Sequence, residues 1–120
     1  MLAVLEDGPL TESELEDRFL ALVMRAGLPE PTRQVCLPGT RRRLDFLFPG
    51  GLAVEVDGTR FHAPAAQQRR DAEKLTRATL AGMRVLRFTW WDVCERPGWV
   101  VECLRLGLRT AFVPIDRIPS

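Results

Sequence analysis

Asp45 and Glu55 stand on either side of the turn sequence Pro49-Gly50-Gly51, each inside a short run of apolar residues. Runs of that kind around a Gly-rich turn read as a β-hairpin, Leu44 to Phe48 and Leu52 to Asp57. If Phe48 faces Leu52 across the turn, Asp45 lies opposite Glu55 and Arg43 opposite Asp57. Alternation then sends Leu44, Phe46, Phe48, Leu52, Val54 and Val56 to the other face, leaving three carboxylates on one side. A slip of one residue would mix polar and apolar side chains on both faces, so the parity is well determined. Like charges directly opposed are destabilising and need compensation, either from neighbouring Arg or Lys or from a divalent cation. Mg²⁺ keeps several waters and completes its shell with phosphate oxygens, so an Asp and a Glu on adjacent strands make half of a phosphodiester-cleaving site. The competing reading leaves both carboxylates solvated on an open sheet face, against the usual covering of crossover strands on both sides. For Asp57, metal binding competes evenly with an ordinary turn at Asp57-Gly58.

Further residues could serve the same chemistry. Glu16 falls inside the apolar arc of Leu15, Phe19, Leu20, Leu22, Val23 and Ala26 on a helical wheel, which a capping role alone does not require. His62 is the single histidine, a loop residue as readily as a site residue. Lys74 is the single lysine, one helical turn after Asp71, so a solvated Asp71–Lys74 pair is its plain alternative. Arg41, Arg42 and Arg43 precede Asp45, and Gln67, Gln68, Arg69 and Arg70 begin the following helix. These runs flank the carboxylates in sequence and would supply counter-charges to a phosphate backbone, although a basic run is more often a solvated face.

The elements that must position these residues follow from local signals. Thr11 or Ser13 caps a helix to about Ala26, since Thr11-x-x-Glu14 and Ser13-x-x-Glu16 are both capping-box patterns and Gly27-Leu28-Pro29 stops it. Arg33 to Leu37 is a short strand, Ala65 to Ala81 a helix, Val85 to Thr89 a strand, and Pro97 opens a helix to about Arg109. The order is αβββαβα, an α/β chain whose crossover from Leu52 to Thr89 implies a parallel pair in a mixed sheet. At 120 residues this is one domain, with a core from about residue 11 to 109 and an unassigned tail from 110 to 120. Hydrophobic residues at 46% and charged residues at 28% exclude a disordered tail or a fibre. No apolar run reaches spanning length and the start lacks a secretory signal, so the expected location is cytoplasmic, with no membrane partner. Cys36, Cys94 and Cys103 show no C-x-x-C spacing and are expected to be buried thiols. Net charge is only +1, but acids are concentrated before Glu30 and bases after it, sixteen of the seventeen bases being Arg.

Taken together, Leu10-Thr-Glu-Ser-Glu-Leu-Glu16, Ala26-Gly-Leu-Pro29, Leu44-Asp-Phe46, Ala53-Val-Glu-Val-Asp-Gly58 with Phe61-His62, Asp71-x-x-Lys74 and Gly82-Met-Arg-Val-Leu-Arg-Phe-Thr-Trp90 resemble a bacterial family related to very-short-patch-repair endonucleases. The likeness spans about Thr11 to Leu108. It implies a restriction-endonuclease-like mixed β-sheet flanked by helices and membership of the PD-(D/E)xK nuclease superfamily. Asp45 would then be the motif Asp, Glu55 its (D/E) and Glu16 the acid of the first helix, while Asp57 stands where the motif has Lys. Lys74 is the candidate for a Lys moved onto the following helix, and His62 looks like the family's His after the Asp-Gly turn. The implied activity is Mg²⁺- or Mn²⁺-dependent hydrolysis of DNA, with Asp45, Glu55 and Asp57 as metal ligands. Glu16, Lys74 and His62 would assist, and Arg41, Arg42, Arg69 and Arg70 would hold the nucleic acid. Many such folds act as homodimers. The rival expectations are a nuclease fold without cleavage, serving as a nucleic-acid-binding or antitoxin-like regulator, and a protein-binding scaffold.

Overall fold

Thr11 starts the first helix by closing a reciprocal box: its hydroxyl oxygen accepts from the Glu14 N–H at 3.0 Å, and the Glu14 carboxylate accepts from the Thr11 N–H at 2.8 Å. This helix, α1 (Glu12–Arg25), ends at Ala26 and is followed by Gly27 in the left-handed region. The cap is thus Thr11, and Ser13 lies within the helix. These features come from a computed structural model, which describes residues 10–58 and 64–109.

Strands β1 (Thr32–Cys36), β2 (Arg43–Phe48), β3 (Leu52–Asp57) and β4 (Arg84–Thr89) form one sheet in that order. The pairs β1–β2 and β2–β3 are antiparallel, and β3–β4 is parallel across helix α2 (Ala65–Leu80). The mixed α/β class expected from the sequence is therefore present. The hairpin register is also the expected one, with Phe48 opposite Leu52 and Phe46 opposite Val54. Gly50 and Gly51 take φ of +84° and +78°, values open to glycine but strained for other residues, which is how so short a turn closes.

Helices cover both faces. Leu15, Phe19 and Val23 of α1 pack with Phe46, Phe48, Leu52, Val54, Val56 and Phe88 of the sheet to form the larger core. On the opposite face Ala78 of α2 meets Leu37, Leu44 and Ala53. Leu44 departs from the alternation expected of it. It packs on the α2 side, because the recorded β2–β3 pairing ends at Phe46–Val54 and the start of β2 follows a different course.

A six-residue helix, α3 (Trp90–Glu95), is additional to the expected order αβββαβα. Thr89 caps it, with its hydroxyl accepting from the Asp92 N–H at 3.1 Å while the Asp92 carboxylate accepts from the Thr89 N–H at 2.9 Å. Helix α4 (Pro97–Arg109) follows, burying Val100 and Leu104 in the larger core. It lies so close to β3 that a β-carbon at Gly107 would come 3.0 Å from a Leu52 methyl. Arg84 fastens the same region by donating to the Gly107 carbonyl at 2.8 Å.

The cysteines correct the expectation of buried thiols. Cys36, at the end of an edge strand, is exposed, and Cys94 and Cys103 are half-buried on α3 and α4; all three are free. Among the described residues no helix is long and apolar enough to cross a membrane.

Candidate functional site

The divergence of β2 from β3 opens a cleft at Asp45 and Glu55. In place of a backbone pair at this level, each carboxylate bonds the other strand. The Asp45 N–H donates to Glu55 Oε2 at 2.7 Å, and the Val56 N–H donates to Asp45 Oδ2 at 2.9 Å. Both side chains are half-buried in a cleft that residues of α1 and α2 help to line, rather than solvated on an open face. Burial, and then the Glu55 charge, push the Asp45 carboxyl up from 3.8 to about 7, against the lowering effect of the Val56 N–H.

Lys74 supplies the nearest counter-charge. Its Nζ lies 2.5 Å from Glu55 Oε1, with both side chains largely shielded from solvent. The expected alternative, an Asp71–Lys74 pair, is not what forms: Asp71 instead faces Arg87 at 3.8 Å. Arg87 stands beside Glu55 in the parallel β3–β4 register. The two opposed acids are thus tolerated through Lys74, two backbone N–H groups and the raised Asp45 pKa, so a bound cation is not the sole means of compensation.

An open, polar cleft is lined by Glu12, Asp45, Glu55, Asp57, Gln67, Asp71 and Arg87. Glu12 and Arg87 escape the sequence reading. Glu12 passes for a first-turn acid favoured by the helix dipole, yet it lies four residues before Glu16 and so on the same helical face. Its Oε2 accepts from the Gly58 N–H at 3.3 Å. A β-carbon at Gly58 would sit 2.9 Å from that oxygen, so the glycine permits a close approach. Burial is the main cause raising the Glu12 pKa, opposed by the Gly58 N–H, with the charges of Asp57, Glu16 and Glu55 adding to it. Arg87 could have been found only by knowing that β4 lies parallel and in register with β3.

Glu16 does point inward, and its side chain is 13% exposed. Arg33 Nη2 and Gln34 Nε2 each approach its Oε1 at 3.3 Å. Of the basic residues, Arg41, Arg69 and Arg70 are exposed. Arg42 is partly committed within the fold, donating to the Arg70 carbonyl and facing Glu73 at 3.6 Å. His62 lies outside the described residues, as does the tail from 110.

The donor set can be tested against a divalent ion. Among the described residues no group of three or more His, Cys, Asp or Glu side chains is gathered closely enough to hold a metal on its own. Mg²⁺ asks for less, since one or two carboxylates suffice when waters and substrate phosphate complete its shell. Asp45 and Glu55, each with its carboxylate bonded to the neighbouring strand in an acidic cleft, meet that lesser demand. Set against models of protein families, curated proteins and solved structures, the chain has no match in any of the three.

Proposed function

We propose that the chain is a restriction-endonuclease-like, metal-dependent nuclease of the PD-(D/E)xK type, acting on DNA phosphodiesters. The observation that carries this reading is the approach of Lys74 to Glu55, 2.5 Å, beside Asp45 on the neighbouring strand. Asp45, Glu55 and Lys74, from three different elements, come together through Glu55, whose carboxylate accepts from both the Asp45 N–H and Lys74, although the position two residues after Glu55 is Asp57 and the Lys arrives from α2. The very-short-patch-repair-like motifs of the sequence support the same reading.

Asp45 and Glu55 would hold Mg²⁺ or Mn²⁺, with Asp57 at the same wall of the cleft. When bound, such an ion lowers the pKa of a coordinated water and offsets charge on phosphate oxygen. The chain's own residues do the rest. Lys74, already paired with Glu55, orients that carboxylate and presents a positive charge to the scissile phosphate. Glu12, on the cleft wall, and Glu16, held by Arg33 and Gln34, would accept hydrogen bonds from metal-bound water. Arg87, loosely paired with Asp71 at 3.8 Å and partly exposed, can turn to a phosphate oxygen. Arg41, Arg69 and Arg70 lie exposed for the flanking backbone. Nicking of supercoiled plasmid in Mg²⁺ tests the assignment. Wild-type chain is expected to cut, with Asp45→Ala and Glu55→Ala each slower by at least about 100-fold; activity indifferent to both substitutions overturns the roles given.

A second reading has its own support. Because Lys74 neutralises Glu55 and the described residues gather no ready-made metal trio, the cleft also suits a nuclease fold that binds nucleic acid without cutting it, as a regulator would. That form binds duplex in EDTA and leaves plasmid intact in Mg²⁺.

A further inference from the structure

Strand β1 holds the one left-handed residue other than glycine among the described residues: Gln34, at φ +52°. A regular strand points successive side chains to opposite faces, so Arg33 and Gln34 would be expected to part. Instead both donate to a single atom, Glu16 Oε1, each at 3.3 Å. Two adjacent strand residues meet on one carboxylate oxygen because the backbone between their side chains is turned at Gln34. By register Gln34 falls between Arg33, opposite Phe46, and Val35, opposite Leu44, which sets it across from Asp45. Arg33 is itself steadied, with its guanidinium 5.7 Å above the Phe46 ring and 3.7 Å from Asp17. A side chain bearing a β-carbon is disfavoured in this region of backbone space and persists where its surroundings enforce it.

We propose that Gln34 is a positioning residue whose left-handed backbone exists to seat its amide, together with Arg33, on Glu16 and so fix that carboxylate beside the Asp45 cleft. This rests on the hydrolytic reading above, since it gives Glu16 a task that requires a fixed orientation. Through Gln34, which the β1–β2 register sets across from Asp45, the Glu16 carboxylate is tied to the strand position beside the cleft. Conformational strain at β1 is thereby exchanged for order at the site.

Two variants separate strain from amide. Gln34→Gly and Gln34→Ala both delete the amide, but only Ala keeps a β-carbon in the left-handed region. Gln34→Gly is expected to melt several degrees above Gln34→Ala, and equal melting temperatures overturn the strained backbone. In plasmid nicking, Gln34→Gly is expected to lower kcat by about tenfold with KM within about twofold of wild type, the pattern of lost orientation rather than lost binding. An unchanged kcat in a cutting enzyme overturns the positioning role. A wild-type chain that cuts nothing refutes hydrolysis, and the side-chain amide NMR signals of Gln34 then decide the contact itself. They are expected to shift on Glu16→Gln, and signals indifferent to that change overturn the inference.

Discussion

Asp45 keeps a proton up to about neutral pH, where an exposed aspartate is already ionised and this one is about half so, its pKa being lifted from 3.8 to about 7 chiefly by burial and then by Glu55. Between those two values the folded chain binds more protons than the unfolded one, so this group's contribution to stability falls as pH rises from about 4 to about 7 and is level beyond. Asp45→Asn keeps an oxygen for the Val56 N–H and removes the charge. It is expected to exceed wild type by about 1 kcal/mol at pH 8, well below the full linkage value because the half-buried site is screened by solvent, and to show almost no advantage at pH 4. Urea unfolding at both pH values measures this, and an advantage equal at the two would remove the basis for the raised pKa. Metal uptake must displace the same proton, so the rise in melting temperature produced by Mg²⁺ should be larger at pH 8 than at pH 6. Lys74 is the complementary case. Lys74→Met leaves the Glu55 carboxylate shielded without its 2.5 Å partner and is expected to cost about 1–3 kcal/mol in urea unfolding, besides abolishing nicking. A stability unchanged within error would mean that the pair contributes nothing to the fold.

At the level of elements, α3 and α4 carry the clearest tests. Thr89 closes the cap of a helix only six residues long, and Thr89→Ala is expected to lose about 1 kcal/mol. Gly107→Ala opposes two effects: a better helix former gains up to about 1 kcal/mol, and a β-carbon 3.0 Å from the Leu52 methyl loses about 1–3 kcal/mol by overpacking. Net destabilisation is expected, and a more stable Ala variant would show that α4 can withdraw from β3 freely. Part of this arrangement was already legible in the sequence. The hairpin register was legible because Pro49-Gly50-Gly51 fixes the turn and apolar alternation fixes the parity. The turn of Leu44 toward α2 was not, since it depends on where two strands part. Helix α3 was missed because its box closes with Asp92, one methylene shorter than the usual Glu, and because Trp90-Trp91 reads equally well as strand. Asp45, Glu55 and Glu16 were singled out by type and spacing, and Lys74 by the family resemblance. Their actual partners, Val56, Arg33, Gln34 and Glu55, depend on distances across the sheet that no local pattern encodes.

Across the whole molecule a net charge of +1 conceals a separation, with five acids lining one cleft and exposed Arg69 and Arg70 on the same α2 turns that present Gln67 and Asp71 to it. Duplex binding in EDTA is therefore expected to weaken steeply with salt, and the double substitution Arg69→Ala, Arg70→Ala to reduce the slope of log K against log salt by about one per phosphate contact removed. An unaltered slope would take these two residues out of the interface. The outer strands of the sheet bear on a different property. Among the described residues β1 and β4 are its two margins, and open strand margins invite stacking of one molecule on the next into fibres. The irregular backbone of Gln34 kinks the first margin at its middle residue, while Arg84 and Arg87 place charge on the second. The distortion that serves the cleft thus also makes β1 a poor template for aggregation, and straightening it with a β-branched residue would trade solubility for regularity.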